Sequence, residues 1–412
     1  MIRTAIIGCG KVADKHALHI ARIPGVKLAA VCDVEPLMTQ QMAERFNVEQ
    51  QFNDVRKMLA EARPDVVHIT TPPQTHFELG RLSLLAGCHA YIEKPFTINA
   101  TEAEELIALA VRQDRKLTVG HNAQFTPVMT RMRQLVNDGY LGGCPVHMES
   151  VFCYETGGDA GYAKAFLGDS GHWLRRLPGS LLQNIISHGI GKMVEFLQGE
   201  RPQVIAQGFT SPVLKRLGQH DIIDELRVII RDEEDRTAYF TFSTQIQPSL
   251  HQFRVFGPRK SLIADDDNQV LIKLNANEYK SYVPYFVGPV HVGCQYFENL
   301  ARNTWGFLKG DFHLPPDTGL MRLMEKFYSS ISAGSPLPIP YCDILLTSRI
   351  MDDIFAQVLT NRGDGLGSNA DVTEGGIASP RGKETCLLAP RSLHVASPSG
   401  CLQALGDRNE RE

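Results

Sequence analysis

The sequence predicts an α/β protein in two parts. A parallel sheet flanked by helices comes first, and a second α/β domain with a mostly antiparallel sheet follows. Three observations carry this reading. Short apolar runs alternate with helix-period segments up to about residue 120. Strand-like segments then succeed one another from about residue 145. A glycine-rich turn joins the first apolar run to the first helical segment.

In the first part the predicted strands are residues 4–7, 27–32, 66–70, 89–92 and 117–119, and the helices 12–22, 37–46, 55–62, 77–86 and 102–112. Alternation of this kind implies βαβ units with right-handed crossovers. Pro24-Gly25 follows the first helix and Ala86-Gly87 ends another; Thr101-x-x-Glu104 predicts a capping box for the last. In the second part strands are predicted over 146–154, 203–209, 225–230, 237–244, 252–256 and 260–264, in a sheet with one buried face. A helix over 181–197 precedes most of them, and helices over 318–332 and 344–359 close the domain. Beyond residue 362 the chain is rich in Gly, Ser and Pro and has no aromatic residue. The expected organisation is therefore a nucleotide-type domain 1–121, a second domain 122–362, and a disordered tail 363–412.

Composition narrows the function classes. The formal net charge of −4 argues against nucleic acid or an anionic membrane as main partner. No apolar run reaches a membrane span, and the N-terminus reads as a strand with no signal segment. Nine scattered cysteines without a Cys-x-x-Cys pair read as free thiols in a reducing compartment, so a cytoplasmic location is expected.

Gly8-x-Gly10-x-x-Ala13 closes a strand and opens a helix. The first glycine allows the tight turn, the second lets backbone approach a pyrophosphate, and the small residue at 13 lets helix pack on strand. Asp33 ends the second strand, where a carboxylate accepts both ribose hydroxyls, and no arginine follows to pair with a 2′-phosphate. The cofactor expected is NAD rather than NADP. At the end of the fifth strand stands Glu93-Lys94-Pro95, on the sheet edge where open α/β sheets bind ligands. A surface ion pair is the ordinary reading of such a charged strand end. The proline restricts how the lysine is presented.

At this point the chain resembles the glucose–fructose oxidoreductase/inositol dehydrogenase/MocA family over residues 1 to about 359. The residues that carry the resemblance are Gly-Cys-Gly-Lys-Val-Ala with His16, Asp33, Thr-Thr-Pro-Pro-Gln-Thr-His at 70–76, and Glu93-Lys94-Pro95. Weaker matches are 120–127, Gly139-Tyr-Leu-Gly142 and Ile-Ser-His at 186–188. The resemblance implies a Rossmann domain followed by a larger domain with an open, mostly antiparallel sheet. It also implies hydride transfer between nicotinamide and a carbinol carbon of a sugar, cyclitol or nucleotide-sugar. Cofactor-binding positions carried over are Gly8, Cys9, Gly10, Lys11, Val12, Asp33, Thr71, Pro72, His76, Glu93 and Lys94, with Lys94 also a proton relay and substrate anchor. Asn122 and Asn184 fall on the substrate side.

Where the family carries Asp-x-Gly-x-His, this chain has Asn184-Ile-Ile-Ser-His188, with i, i+4 spacing on one helical face. His188 is the candidate general acid/base. Asn184 holds a hydroxyl but takes no proton. Gln124 stands where the family often has arginine, and Arg175 or Arg176 is a replacement cation or an exposed surface residue. Trp173 either stacks on a sugar ring or fills the core. His16 and His19 lie i, i+3 with no third ligand nearby, so no metal is expected. A loop at 154–158 is a candidate cover for the pocket.

Three functional readings stand at this stage: an NAD-dependent dehydrogenase of a small sugar-like substrate, a redox-assisted lyase or glycosidase with tightly held NAD, and a non-catalytic NAD or metabolite sensor. A homo-oligomer joined through an exposed sheet face is also expected.

Overall fold

A computed structural model describes residues 1–155, 166–275, 281–309 and 319–360. The expected tail 363–412 and residues 156–158 of the candidate pocket loop lie outside the described residues.

The first part runs β1 (Ile2–Ile7), α1 (Lys11–Ile20), β2 (Val26–Cys32), α2 (Pro36–Phe46), β3 (Gln50–Phe52), α3 (Val55–Ala62), β4 (Val66–Ile69), α4 (His76–Leu85), β5 (His89–Ile92), α5 (Ala100–Arg112) and β6 (Leu117–Val119). Its strands pair in the order β3-β2-β1-β4-β5-β6, every pair parallel. Winding reverses between β1 and β4, which opens a crevice at the carboxyl ends of those strands. Ala5–Ile7, Ala30–Cys32 and Ala90–Ile92 are all buried, as a sheet covered on both faces requires. Strand β3 escapes a periodicity reading because three residues carry too little pattern. The cap of α5 sits earlier than predicted: Asn99 accepts from Glu102 N at 2.8 Å, and Glu102 reaches back to Ile98 N at 3.4 Å.

The second part comprises α6 (Pro127–Asn137), β7 (His147–Cys153), α7 (Ser180–Ile185), α8 (Ser187–Val194), β8 (Gln203–Phe209), α9 (Pro212–Arg216), β9 (Glu225–Arg231), β10 (Thr237–Ser243), β11 (His251–Phe256), β12 (Lys260–Asp265), β13 (Val270–Asn275), α10 (Val283–Lys309), α11 (Leu320–Ala333) and α12 (Tyr341–Thr360). Its sheet is open, ordered β13-β12-β11-β7-β10-β9-β8. Every pair is antiparallel except β7 with β10. The single helix expected over 181–197 is two, meeting at Ile186. One sheet face buries Phe240, Phe242, Phe253 and Leu262 in a core shared with Ile190, Met193, Ile350 and Ile354. α11 returns to the first domain, where Tyr328 meets Thr4 and His68. No helix among the described residues is long and apolar enough to cross a membrane.

Candidate active site

The turn after β1 is shaped by close approach. Gly8 has φ +92°, and a Cβ there would stand 2.7 Å from Thr71 Cγ2 and 2.9 Å from Thr71 N. Thr70 Oγ1 donates to Gly8 O at 2.6 Å, so the ends of β1 and β4 are stitched together. A Cβ at Gly10 would meet nothing within 4 Å, and α1 starts there without a side-chain cap. Open space in front of uncapped helix N–H groups fits a pyrophosphate. Asp33 accepts from Cys9 N at 2.6 Å and Glu35 N at 3.0 Å, which clamps the carboxylate beside the turn. A carboxylate has capacity for further donors, as ribose hydroxyls would supply. Cys9 offers only backbone here. Its thiol is buried toward Cys32 O, and burial pushes its pKa up to about 12.

Glu93 and Lys94 emerge from β5 into this crevice, and the Lys94–Pro95 peptide is cis. Lys94 Nζ donates to Asn184 O at 2.8 Å and lies 3.3 Å from Asn184 Oδ1. Burial lowers the lysine's pKa, opposed by Glu93. The sequence places Asn184 toward substrate; in the structure its amide oxygen and carbonyl hold the lysine.

Behind Glu93 runs a buried chain of hydrogen bonds. His16 Nε2 lies 2.9 Å from Glu93 Oε1, His16 Nδ1 lies 2.8 Å from His68 Nδ1, His68 Nε2 lies 2.9 Å from the Tyr328 hydroxyl, and Thr4 Oγ1 lies 2.9 Å from that hydroxyl. A carboxylate only accepts, so one set of neutral tautomers satisfies every link. Thr4 donates to Tyr328, Tyr328 to His68, His68 to His16, and His16 to Glu93. Burial, then the neighbouring His16, holds His68 well below the ordinary histidine value, which agrees with its neutral role. Burial works to raise the Glu93 carboxyl, but the His16 hydrogen bond and Lys94 bring it below the usual range. These partners account for both ring nitrogens of His16.

On the second domain's side, the His188 ring stacks on Phe152, with centroids 5.8 Å apart and 13° between planes. Its Nδ1 is buried without a hydrogen-bond partner among the described residues. Burial, then Lys94 and the neighbouring His121, Lys192 and His251, hold it far below the ordinary histidine value. The imidazole is therefore neutral. Lys192, one turn on, is buried and ion-paired to Asp266, whose other oxygen accepts from Thr126 Oγ1 at 2.8 Å.

Several predicted residues sit differently. His76 is fully buried, with Nδ1 2.9 Å from Pro95 O and Nε2 2.9 Å from Thr71 O. Burial lowers its pKa, and a neutral imidazole carries one N–H, so the ring donates to only one of these two carbonyls where it packs between the 71–72 loop and the lysine turn. Gln124 is buried and donates to Gly191 O at 2.5 Å, facing α8 rather than a substrate. Arg175 is a clamp on Phe166 O, Leu167 O and Gln219, which excludes both the exposed and the substrate-facing readings; Arg176 is exposed and donates to Gly171 O. Trp173 packs half-buried against the second core, and its carbonyl accepts from Gln74 at 3.0 Å. Lys11 and Val12 are exposed at the start of α1, Pro72 is exposed beside the half-buried Thr71, and Asn122 is half-buried after β6. Sequence reasoning missed Lys192, His121, His68 and Tyr328. Nothing local marks them, since partners such as Tyr328 and His68 lie 260 residues apart.

Residues 2–121 match the model of the oxidoreductase family with NAD-binding Rossmann fold. The chain is 34% identical over 142 residues to D-glucoside 3-dehydrogenase of Escherichia coli (strain K12), covering 34% of this chain and 40% of that protein. It thus spans well under half of that relative's length. Inositol 2-dehydrogenase of Rhizobium meliloti (strain 1021) is 24% identical over 274 residues, 66% of this chain and 78% of its own. Among solved structures, UDP-N-acetylglucosamine 3-dehydrogenase GnnA from Acidithiobacillus ferrooxidans superposes with TM-score 0.62 at 21% identity, covering 87% of this chain and 98% of that one. Residues 2–121 thus match the NAD-binding Rossmann domain of an oxidoreductase family whose relatives include sugar and inositol dehydrogenases.

Proposed function

We propose that the protein is an NAD-dependent dehydrogenase moving a hydride between nicotinamide and a carbinol carbon of a sugar, cyclitol or nucleotide-sugar. The observation that carries this is the meeting of Lys94, from the Rossmann sheet edge, with Asn184, one turn before the unpartnered imidazole nitrogen of His188. Residues 1–121 would hold the cofactor and 122–362 the substrate. Gly8, Gly10, Asp33 and the start of α1 would hold NAD, which when bound supplies the hydride acceptor. Neutral His188 accepts the carbinol proton, while Lys94, with its pKa lowered, steadies the developing oxygen charge and relays the proton. Asn184 orients Lys94 and takes no proton. The buried free thiols Cys9, Cys32, Cys88 and Cys153 support a reducing, cytoplasmic setting.

One observation favours a second reading. An amide at 184, where the resemblance implies a carboxylate, takes no proton and supports a non-catalytic NAD or metabolite sensor. The test is incubation of the purified protein with NAD and a panel of sugars, cyclitols and nucleotide-sugars, read at 340 nm and by product mass. Growth of absorbance with a ketone product supports the dehydrogenase. Product without absorbance points to a redox-assisted lyase or glycosidase with tightly held NAD, and no product with any compound defeats the dehydrogenase and favours the sensor.

A further inference from the structure

His251 opens β11 directly opposite Phe152 on β7, and Phe152 is the ring on which His188 stacks. Alternation along β11 puts His251 on the same face as Phe253 and Val255, the face that packs against α8. The His251 and Phe152 rings meet edge to face, with centroids 4.4 Å apart. A single phenyl ring thus stands between the two histidines.

Asp267, in the turn between β12 and β13, fixes the His251 ring. Its Oδ2 accepts from the His251 backbone N–H at 2.9 Å, and its Oδ1 lies 2.7 Å from Nδ1 of the ring. Asp266 N donates to His251 O at 2.9 Å, so backbone and ring are both tied to this turn. A carboxylate beside Nδ1 keeps a proton on that nitrogen and leaves Nε2 to meet another group. Nε2 has no hydrogen-bond partner among the described residues, and the side chain is 26% exposed. The surroundings are acidic: Asp265, Asp266 and Asp267 are consecutive. Lys192 of α8, one turn beyond His188, is already ion-paired to Asp266. A phosphate or carboxylate brought to this rim meets like charge, whereas a hydroxyl pairs with either protonation state of Nε2.

We propose that His251 is a specificity-determining residue whose Nε2 takes a ring hydroxyl of the substrate on the side away from the reacting carbon. Given the dehydrogenase reading of Lys94 and His188, on which this assignment rests, the substrate is an uncharged sugar or cyclitol. A phosphorylated or nucleotide-linked sugar does not suit the acidic turn. The separation is apt, since a sugar ring is about as wide as the phenyl ring between the two histidines.

The test uses the full chain with NADH and isotope-labelled histidine rings, followed by nitrogen NMR. Titration with D-glucose, methyl β-D-glucoside and myo-inositol should move the His251 Nε2 resonance for at least one compound. A hexose phosphate and UDP-N-acetylglucosamine should leave it in place. With NAD, His251→Phe should raise KM for the responding compound about tenfold or more, with a smaller effect on kcat. His251→Gln, which keeps a polar group there, should recover part of that loss. A monodeoxy analogue lacking the bound hydroxyl should be used equally by wild type and His251→Phe. A shifted resonance without turnover supports the subsite and defeats the dehydrogenase. Turnover of a neutral polyol with an unmoved resonance and unchanged KM in His251→Phe overturns the subsite and leaves the dehydrogenase standing. Preference for the hexose phosphate or the nucleotide-sugar overturns the proposal, as does a resonance that none of these compounds moves. Should His251→Phe misfold, the wild-type titration still decides the matter.

Discussion

His16 Nε2 and Glu93 Oε1 lie 2.9 Å apart, joining the first helix to the residue beside the candidate catalytic lysine. The pair is largely buried, with the carboxylate side chain only 13% exposed. Its carboxylate pKa is depressed in the fold, so its contribution to stability is present above the ordinary glutamate value and is lost as pH falls through the depressed one. Replacing His16 by leucine leaves burial unopposed, and the Glu93 pKa should rise. We expect a loss of about 1–3 kcal/mol at neutral pH and an acid transition moved to higher pH. Melting temperature measured from pH 4 to 8 checks this; curves that coincide would show the pair to be inert.

The buried histidines predict a second pH effect of fixed sign. Burial, chiefly, lowers His121 to about 4, and His68 and His188 are lowered as well. Below the ordinary histidine value the unfolded chain takes up protons that the folded chain does not, so stability falls as pH drops from about 6.5 toward 4. His121 alone accounts for up to about 3 kcal/mol of that slope. Denaturant midpoints for His121→Phe should change less over this window than those of wild type. An equal slope would count against the burial argument.

Lys94→Ala and His188→Ala should each lower turnover on the correct substrate by about 10²–10⁴-fold, while NAD still binds. Steady-state kinetics beside NAD titration by calorimetry separates the two effects. Near-normal turnover in either variant would remove that residue from the chemistry.

Asn184→Asp places a carboxylate where the amide oxygen now lies 3.3 Å from Lys94 Nζ. An opposite charge at that range favours the ammonium, so the lysine's pKa should rise by about 1–3 units. The limb of the pH–rate profile belonging to Lys94 should move to higher pH by a similar amount. A profile unmoved by the substitution would mean that Asn184 does not govern the lysine.

Asp33→Ala removes an acceptor that holds the Cys9 N–H and stands where ribose hydroxyls are expected. Hydrogen bonds to a charged group are worth about 1.5–3 kcal/mol, so NAD affinity should drop tenfold or more and the preference over NADP should narrow. Tighter NADP than NAD binding by the unaltered protein would contradict the role given to Asp33.

Much of the Rossmann half was legible in the sequence, because its signals are local. The Gly8-x-Gly10 turn, apolar strands four to seven residues long, and strands joined by helices each leave their mark within about twenty positions. Parallel crossovers of fixed hand then leave little freedom in strand order. Lys94, His188 and Asp33 could be proposed from sequence for the same reason, each sitting in a short motif at a strand end or helix.

Tertiary structure decided what depends on distant partners. Parallel pairing of β7 with β10 joins segments some ninety residues apart. The chain from Thr4 through Tyr328, His68 and His16 to Glu93 draws on four separate elements and a loop-end carboxylate. His76 was read as a cofactor-side residue and Gln124 as the place of a missing arginine, yet each lies against backbone carbonyls that only folding brings near. α10 was missed altogether. Periodicity assumes that a helix buries its apolar face, and this one turns amides to a sheet edge whose unpaired backbone groups attract polarity more than oil. Hydrophobic pattern is written in sequence, but where unmet hydrogen bonds lie is known only once the sheet has formed.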